Sequence, residues 1–201
     1  MFTFHVIKSE SINFAQIQKE DPYFERAHLY DDFDEFISTI NANMALNSQD
    51  VASYILRKYP QVNDHRFAFD KILYYIYSDY LVKHKYPLFN ARFVAFEKGP
   101  VEYDIYRIAK YEKERLLYNT SFELKVQFLS DCKEILDLID EDIKKYKEYY
   151  DKVWYDYRSS DANANLTHRD STPWSIARAK GKNSSISNAD IVKFHHLEVL
   201  Q

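Results

Sequence analysis

The stretch KYPLFNARFVAFEKG, from Lys85 to Gly99 and followed directly by Pro100, joins two helical patterns. Pro87 ends the first pattern, because proline has no N–H to donate and clashes with the preceding helical turn. The residues from Arg92 to Phe96 favour extended backbone, which predicts a short strand. Glycine permits a tight turn and proline presets φ, so we expect the next helix to begin at Gly99 and Pro100.

The helical pattern before this stretch, residues 69–83, is apolar on almost every side. Five of its apolar residues recur at helical spacing: Phe69, Ile72, Leu73, Ile76 and Tyr80. A helix that is apolar all round is normally buried among other helices. We therefore predict that this segment is the central helix of a bundle.

A heptad pattern follows in the second half of the chain, where residues 101–172 contain neither glycine nor proline. Its apolar positions alternate steps of three and four: Leu129, Cys132, Leu136, Ile139, Ile143, Tyr146, Tyr150, Val153 and Tyr157. Such a pattern packs against the protein's own bundle or forms an intermolecular coiled coil. Its tyrosines favour the first interpretation, because buried phenolic hydroxyls need hydrogen-bond partners.

The predicted fold class is mainly α: a compact helical domain over residues 47–196, with a small β element near Arg92 and Phe96, preceded by an N-terminal helical arm. The arm, residues 1–46, is an acidic extension, since residues 1–50 hold nine Asp or Glu and only three Lys or Arg. An acidic arm on a near-neutral body does not attract nucleic acid, so we expect no nucleic-acid partner for the protein.

Composition points to a cytoplasmic location. A lone cysteine, Cys132, cannot form an intramolecular disulfide. No apolar run reaches the roughly 18 residues that span a bilayer, and the first ten residues do not form a secretory signal. The last five residues, LEVLQ, resemble the remnant of a protease tag, so we predict no function for Leu197 to Gln201.

No catalytic, metal or cofactor motif is visible. The seven histidines and the cysteine show no ligand spacing such as HExxH or CxxC, which predicts no metal site. Two glycines in 201 residues leave little material for phosphate-binding loops. We therefore predict that the chain is not an enzyme and carries no cofactor.

Five segments, in order, resemble the Panacea domain, also called the SocA-like antitoxin domain, of bacterial and phage toxin–antitoxin systems. They are DVASYILRKY (50–59), FDKILYYIYSDYLVKHKYPLF (69–89), the stretch quoted first, LTHRDSTPW (166–174) and ISNADIVKF (186–194). The resemblance implies an antitoxin, encoded by a phage or mobile element, that neutralises a cognate protein toxin by direct binding. In that family some members act as adaptors that deliver the toxin to a protease, and no membrane partner is implied.

The same resemblance suggests where a partner would bind. The candidate partner-binding residues are Phe96, Gly99, Pro100, Thr167, His168 and Trp174. Core packing is an equally good explanation for Phe96 and Trp174. Two other functions stay open at this point: a small hydrolase that uses His168 as a base, and a mobile-element regulator that binds DNA. The DNA hypothesis depends on a basic group near the C-terminus: Arg169, Arg178, Lys180, Lys182 and Lys193.

Overall fold

The computed structural model describes residues 13–24, 32–63, 66–157 and 164–200. Its helices are α1 (Phe14–Glu20), α2 (Phe33–Met44), α3 (Ser48–Lys58), α4 (Arg66–His84), α5 (Tyr103–Tyr111), α6 (Lys113–Tyr118), α7 (Ser121–Val126), α8 (Cys132–Tyr157), α9 (Pro173–Lys180) and α10 (Asn188–Phe194). Two strands, β1 (Phe93–Phe96) and β2 (Gly99–Glu102), pair in antiparallel fashion. Short 3₁₀ turns cover Pro22–Phe24, Pro60–Asn63, Leu166–His168 and His195–Leu197. The predicted mainly α class with a small β element is confirmed.

The chain divides into two compact units, Met1–Met44 and Ala45–Gln201, and each is described by itself. The first unit contains α1 and α2. Asp32 begins α2 by accepting a hydrogen bond from the Asp34 N–H at 2.7 Å, which satisfies one of the free donors of the first helical turn. The helix predicted in the N-terminal arm is therefore present.

The second unit is built around α4. Every residue from Phe67 to Leu81 except Asp79 is buried, as the all-round apolar pattern predicts. Helix α8 packs along α4, and the rings of Tyr75 and Tyr146 stack with centroids 3.8 Å apart. The heptad pattern thus packs inside its own bundle, which is the first of the two interpretations offered above.

The tyrosines in this contact have the partners that burial requires. The Tyr75 hydroxyl donates to the Glu198 backbone carbonyl at 2.6 Å. Its oxygen lies 2.8 Å from the Tyr150 hydroxyl, which is then the donor of that pair. Because both rings are fully buried, losing either partner would leave a polar atom without water or protein to bond.

The β hairpin corrects one prediction. Gly99 and Pro100 do not open a helix: they begin β2, with Pro100 opposite Ala95 and Gly99 opposite Phe96. Proline is tolerated because β2 pairs on one side only, so its missing N–H breaks no second ladder. The helix begins at Tyr103 instead, where the Glu102 carboxylate caps α5 by accepting from the Ile105 N–H at 2.7 Å.

The free edge of β1 is occupied by the loop between α9 and α10. The Ala95 N–H donates to the Ser184 carbonyl, and the Ile186 N–H donates to the Phe93 carbonyl, each at 2.9 Å. These bonds hold the C-terminal helices beside the hairpin, although residues 93–96 and 184–186 are far apart in sequence. Thr172 caps the start of α9, and Ser187 caps the start of α10.

Candidate functional site

The predicted site residues do converge on one place, the hairpin tip (residues 96–99). Trp174 lies in the first turn of α9, and its indole Nε1–H donates to the Phe96 carbonyl at 2.8 Å. The imidazole of His168 stacks on the indole with ring centroids 3.8 Å apart and planes only 8° from parallel. Trp174 therefore connects the start of α9 to the hairpin tip and to the loop before α9.

A chain of hydrogen bonds fixes the loop before α9 to the hairpin tip. Asn165 Nδ2 donates to the Lys98 carbonyl at 3.3 Å, and Thr167 Oγ1 donates to Asn165 Oδ1 at 2.9 Å. Thr172 Oγ1 donates to the Thr167 carbonyl at 2.6 Å. All three loop side chains are buried, so these bonds replace contacts with water and hold the loop in one conformation.

Lys71 is the residue that sequence reasoning missed here. Its side chain comes from α4, is only 1% exposed and places Nζ 3.3 Å from the Pro100 carbonyl. Burial lowers the pKa of Lys71 to about 7, against the opposing attraction of Asp70 and Glu198. The sequence does carry a signal, since Asp70 and Lys71 are adjacent charged residues in a helical stretch that is apolar on almost every side.

Gly99 makes room for that lysine. Its φ of 115° lies in a region that favours glycine. A Cβ at this position would overlap Lys71 Nζ and lie 2.6 Å from Lys71 Cε and 2.9 Å from Thr167 Oγ1. The glycine is thus needed twice, for the backbone conformation and for the close approach of two side chains.

His168 is held neutral by its surroundings. Burial lowers its pKa to about 4, with further lowering by the positive charges of Lys71 and Arg178. Its Nε2 atom is buried and has no hydrogen-bond partner among the described residues. A hydrolytic base is normally oriented by a carboxylate and faces a nucleophile, so this environment gives the hydrolase hypothesis no support.

The six predicted residues differ in exposure. Gly99, Pro100, Thr167 and Trp174 are buried, whereas Phe96 and His168 are half-buried. The exposed residues of the hairpin tip are Glu97 and Lys98. The buried members can position a surface but cannot form most of it.

A second polar cluster lies at the C-terminus, and it corrects the prediction for LEVLQ. Glu198 is fully buried, accepts a hydrogen bond from the Tyr74 hydroxyl at 2.7 Å and lies 2.8 Å from His195 Nδ1. The other ring nitrogen of His195 lies 2.9 Å from Asp79. Glu198 and His195 are part of the core, and the short segment LEVLQ has no periodic pattern that signals the burial of its one carboxylate.

The charge on His195 follows from these bonds. Burial by itself lowers the pKa of His195, but the hydrogen bonds to Asp79 and Glu198 outweigh it and raise the pKa to about 9. The imidazolium therefore lies between two carboxylates and compensates the burial of Glu198.

The basic group proposed for DNA binding is largely used within the protein. Arg178 donates to the Ala95 carbonyl and Arg169 to the Leu197 carbonyl, each at 3.3 Å. Lys180 lies 3.7 Å from Asp190. Arg178 and Lys180 also lie in the last turn of α9, where positive charge complements the helix dipole.

The described part of the chain shows neither a cluster of metal ligands nor a membrane-spanning helix. No group of three or more His, Cys, Asp or Glu residues there could hold a metal ion. Nor does any helix in it combine the length and apolar character needed to cross a membrane.

Comparison with known protein families matches residues 69–198, well over half of the chain, to the family described as Antitoxin SocA-like, Panacea domain. The match includes α4 from Phe69 onward, the hairpin, the loop before α9 and Glu198. No curated protein and no solved structure matches the chain. The proposed domain limits of 47 and 196 stay a prediction. The chain belongs to the SocA-like antitoxin family, whose Panacea domain is matched by residues 69–198.

Proposed function

We propose that this protein is the antitoxin of a toxin–antitoxin system and neutralises a cognate protein toxin by binding it directly in the cytoplasm. The observation that carries the proposal is the family match over residues 69–198. The chain acts by association rather than catalysis, in keeping with a family of antitoxins and with the neutral, stacked state of His168.

The hairpin tip is the proposed contact surface. Glu97 and Lys98 are exposed there, next to half-buried Phe96 and His168. The bonds from Asn165 and Trp174 to the tip carbonyls hold this surface in one conformation. A surface that is already ordered loses little conformational entropy when a partner binds, which favours affinity.

The N-terminal extension is proposed to help select the toxin. It is acidic and lies outside the family match, which begins at residue 69. A shared domain that serves different toxins needs a variable element for discrimination. Deleting residues 1–46 should therefore weaken binding of the cognate toxin, and unchanged affinity would remove the extension from the mechanism.

Co-expression with the product of the neighbouring open reading frame tests the proposal. We expect the chain to restore growth and to purify with that product. The double variant Glu97→Ala/Lys98→Ala should lose rescue, while Glu148→Ala/Lys152→Ala, an equally exposed acid–base pair on α8, should keep it. Equal rescue by both variants would exclude the hairpin tip as the contact surface.

A host that lacks its ATP-dependent proteases separates two routes of neutralisation. Direct occlusion predicts full rescue in that host. An adaptor that delivers the toxin to a protease predicts binding without rescue. A harmless neighbouring product that forms no complex would contradict the antitoxin proposal itself.

A further inference from the structure

A cleft of about 670 Å³ opens between the C-terminal half of α4 and the N-terminal half of α8. It lies away from the hairpin tip and shares none of the candidate residues above. Its walls carry more acidic than basic groups: the carboxylates belong to Asp79, Asp131, Glu134, Asp137 and Glu141, and the lysines are Lys83 and Lys133. The cleft is therefore an electronegative concavity.

Some of these carboxylates already have partners. Glu134 pairs with Lys83 at 2.6 Å and with His84 at 2.8 Å, and Asp131 accepts from the Tyr80 hydroxyl at 2.5 Å. Asp137 and Glu141 are exposed on α8, and the structure shows no ion pair for either within the described part of the chain. Their negative charge is free to meet a cation that enters the cleft.

A buried carboxyl group, that of Asp142, lies behind the wall of the cleft and is not among the residues that line it. Asp142 is 4% exposed, and its Oδ2 atom has no hydrogen-bond partner among the described residues. It lies one helical turn beyond Leu138, which lines the cleft, and beside Asp79, which lines the opposite wall. Burial, followed by the negative charge of Asp79, raises the pKa of Asp142 to about 9.

A second concavity of about 510 Å³ adjoins the first, and most of the residues that line it are apolar or aromatic. The two share Tyr80, Ser130 and Asp131 as a common wall. Phe128 and Tyr86 line the second concavity with 64% and 55% of their surfaces exposed. Large apolar side chains exposed at a concave surface typically mark a binding site.

We propose that the two adjoining concavities form one groove that binds a polypeptide segment of a protein partner, with a lysine or arginine side chain in the acidic cleft and a neighbouring apolar side chain against Phe128 and Tyr86. The acidic walls, above all the unpaired carboxylates of Asp137 and Glu141, match a cationic head group. The apolar half requires more than a free cation, which is why the occupant is a peptide rather than a polyamine. The inference deepens the proposed function, since it rests on the chain's being a protein-binding module.

The test titrates the protein, residues 1–201, with two probes: the peptide acetyl-Lys-Phe-Arg-Phe-amide and spermidine. Two-dimensional NMR spectra detect the binding of each probe. We expect saturable peptide binding, with shifts confined to the groove, and weaker binding of spermidine. Asp137→Asn/Glu141→Gln should weaken peptide binding roughly fivefold to tenfold at low salt, since it removes two unpaired charges at the surface. Phe128→Ser should weaken the peptide but leave spermidine unchanged.

Asp156→Asn/Glu148→Gln is the matched control, because it removes the same charge from exposed positions of α8 outside the groove. Absence of saturable peptide binding, shifts elsewhere, equal affinity for spermidine, or equal effects of the two double variants would overturn the proposal. No toxin is present in this assay. If the protein neutralises its toxin but does not bind the peptide, only the groove proposal is wrong. If it binds the peptide but neutralises no toxin, the groove proposal holds and the antitoxin proposal has no support.

Discussion

Replacing Gly99 with alanine should destabilise the second unit more than the same replacement at Gly181, the other glycine of the chain. The added Cβ would meet Lys71 Cε at 2.6 Å and Thr167 Oγ1 at 2.9 Å, both closer than van der Waals contact. Lys71 cannot simply swing away, because its side chain is 1% exposed and packed on every side. The substitution thus perturbs α4, the hairpin and the loop before α9 together.

The expected magnitude has two parts. Holding a residue with a Cβ at φ 115° costs about 1–3 kcal/mol in backbone strain. Displacing Lys71 breaks its hydrogen bond to the Pro100 carbonyl and leaves buried polar atoms unsatisfied, which costs about 1–3 kcal/mol more. We therefore expect a loss of roughly 4 kcal/mol in the free energy of unfolding.

Urea unfolding, followed by the fluorescence of Trp154 and Trp174, measures this loss. Gly181→Ala is the control: its φ is 150°, but its added Cβ would meet only Ser184 Oγ at an ordinary 3.4 Å. It should carry the backbone part of the cost without the steric part. Equal losses of stability in the two variants would refute the reasoning, because they would show that Lys71 and Thr167 do not constrain Gly99.

Three further predictions concern the buried titratable groups. Glu198→Ala should cost about 3–5 kcal/mol in urea unfolding, since it leaves His195 and the Tyr74 hydroxyl without a buried partner; an unchanged midpoint would contradict the structural role of Glu198. The pKa of His195 is raised to about 9 in the folded chain, so its stabilising contribution is complete below pH about 6.5 and is lost as the pH rises through 9. Wild type should therefore lose more stability than His195→Gln over that interval, and parallel losses would count against a charged His195. The pKa of His168 is lowered to about 4, so its contribution is present above pH about 6.5 and is lost as the pH falls through 4. His168→Phe should lack this acid-side loss, which unfolding midpoints at pH 6.5 and 4.5 would reveal.

Local sequence signals predicted the helices well, because their causes are local. Thr172 and Ser187 cap the helices that follow them, and Asp50 completes a capping box with Asn47. The hairpin was harder to predict from the sequence. A proline after glycine fits the start of a helix and the edge of a sheet equally well, and only the pairing of Pro100 with Ala95 distinguishes them.

The candidate site was only half predictable for a similar reason. Trp174 and His168 follow from the resemblance to the family, and they do meet at the hairpin tip. The partners that fix their environment come from distant segments: Lys71 from α4 and Asn165 from the loop before α9. The burial of Glu198 could not be predicted, because it depends on the tertiary fold and leaves no periodic signal in the sequence.

Titrating the purified toxin with the purified chain, with no protease present, tests the central claim most directly. The account predicts that toxin activity falls in proportion to added chain and disappears at a fixed stoichiometry, with the complex recovered intact. Full toxin activity in the presence of excess folded chain would contradict neutralisation by direct binding.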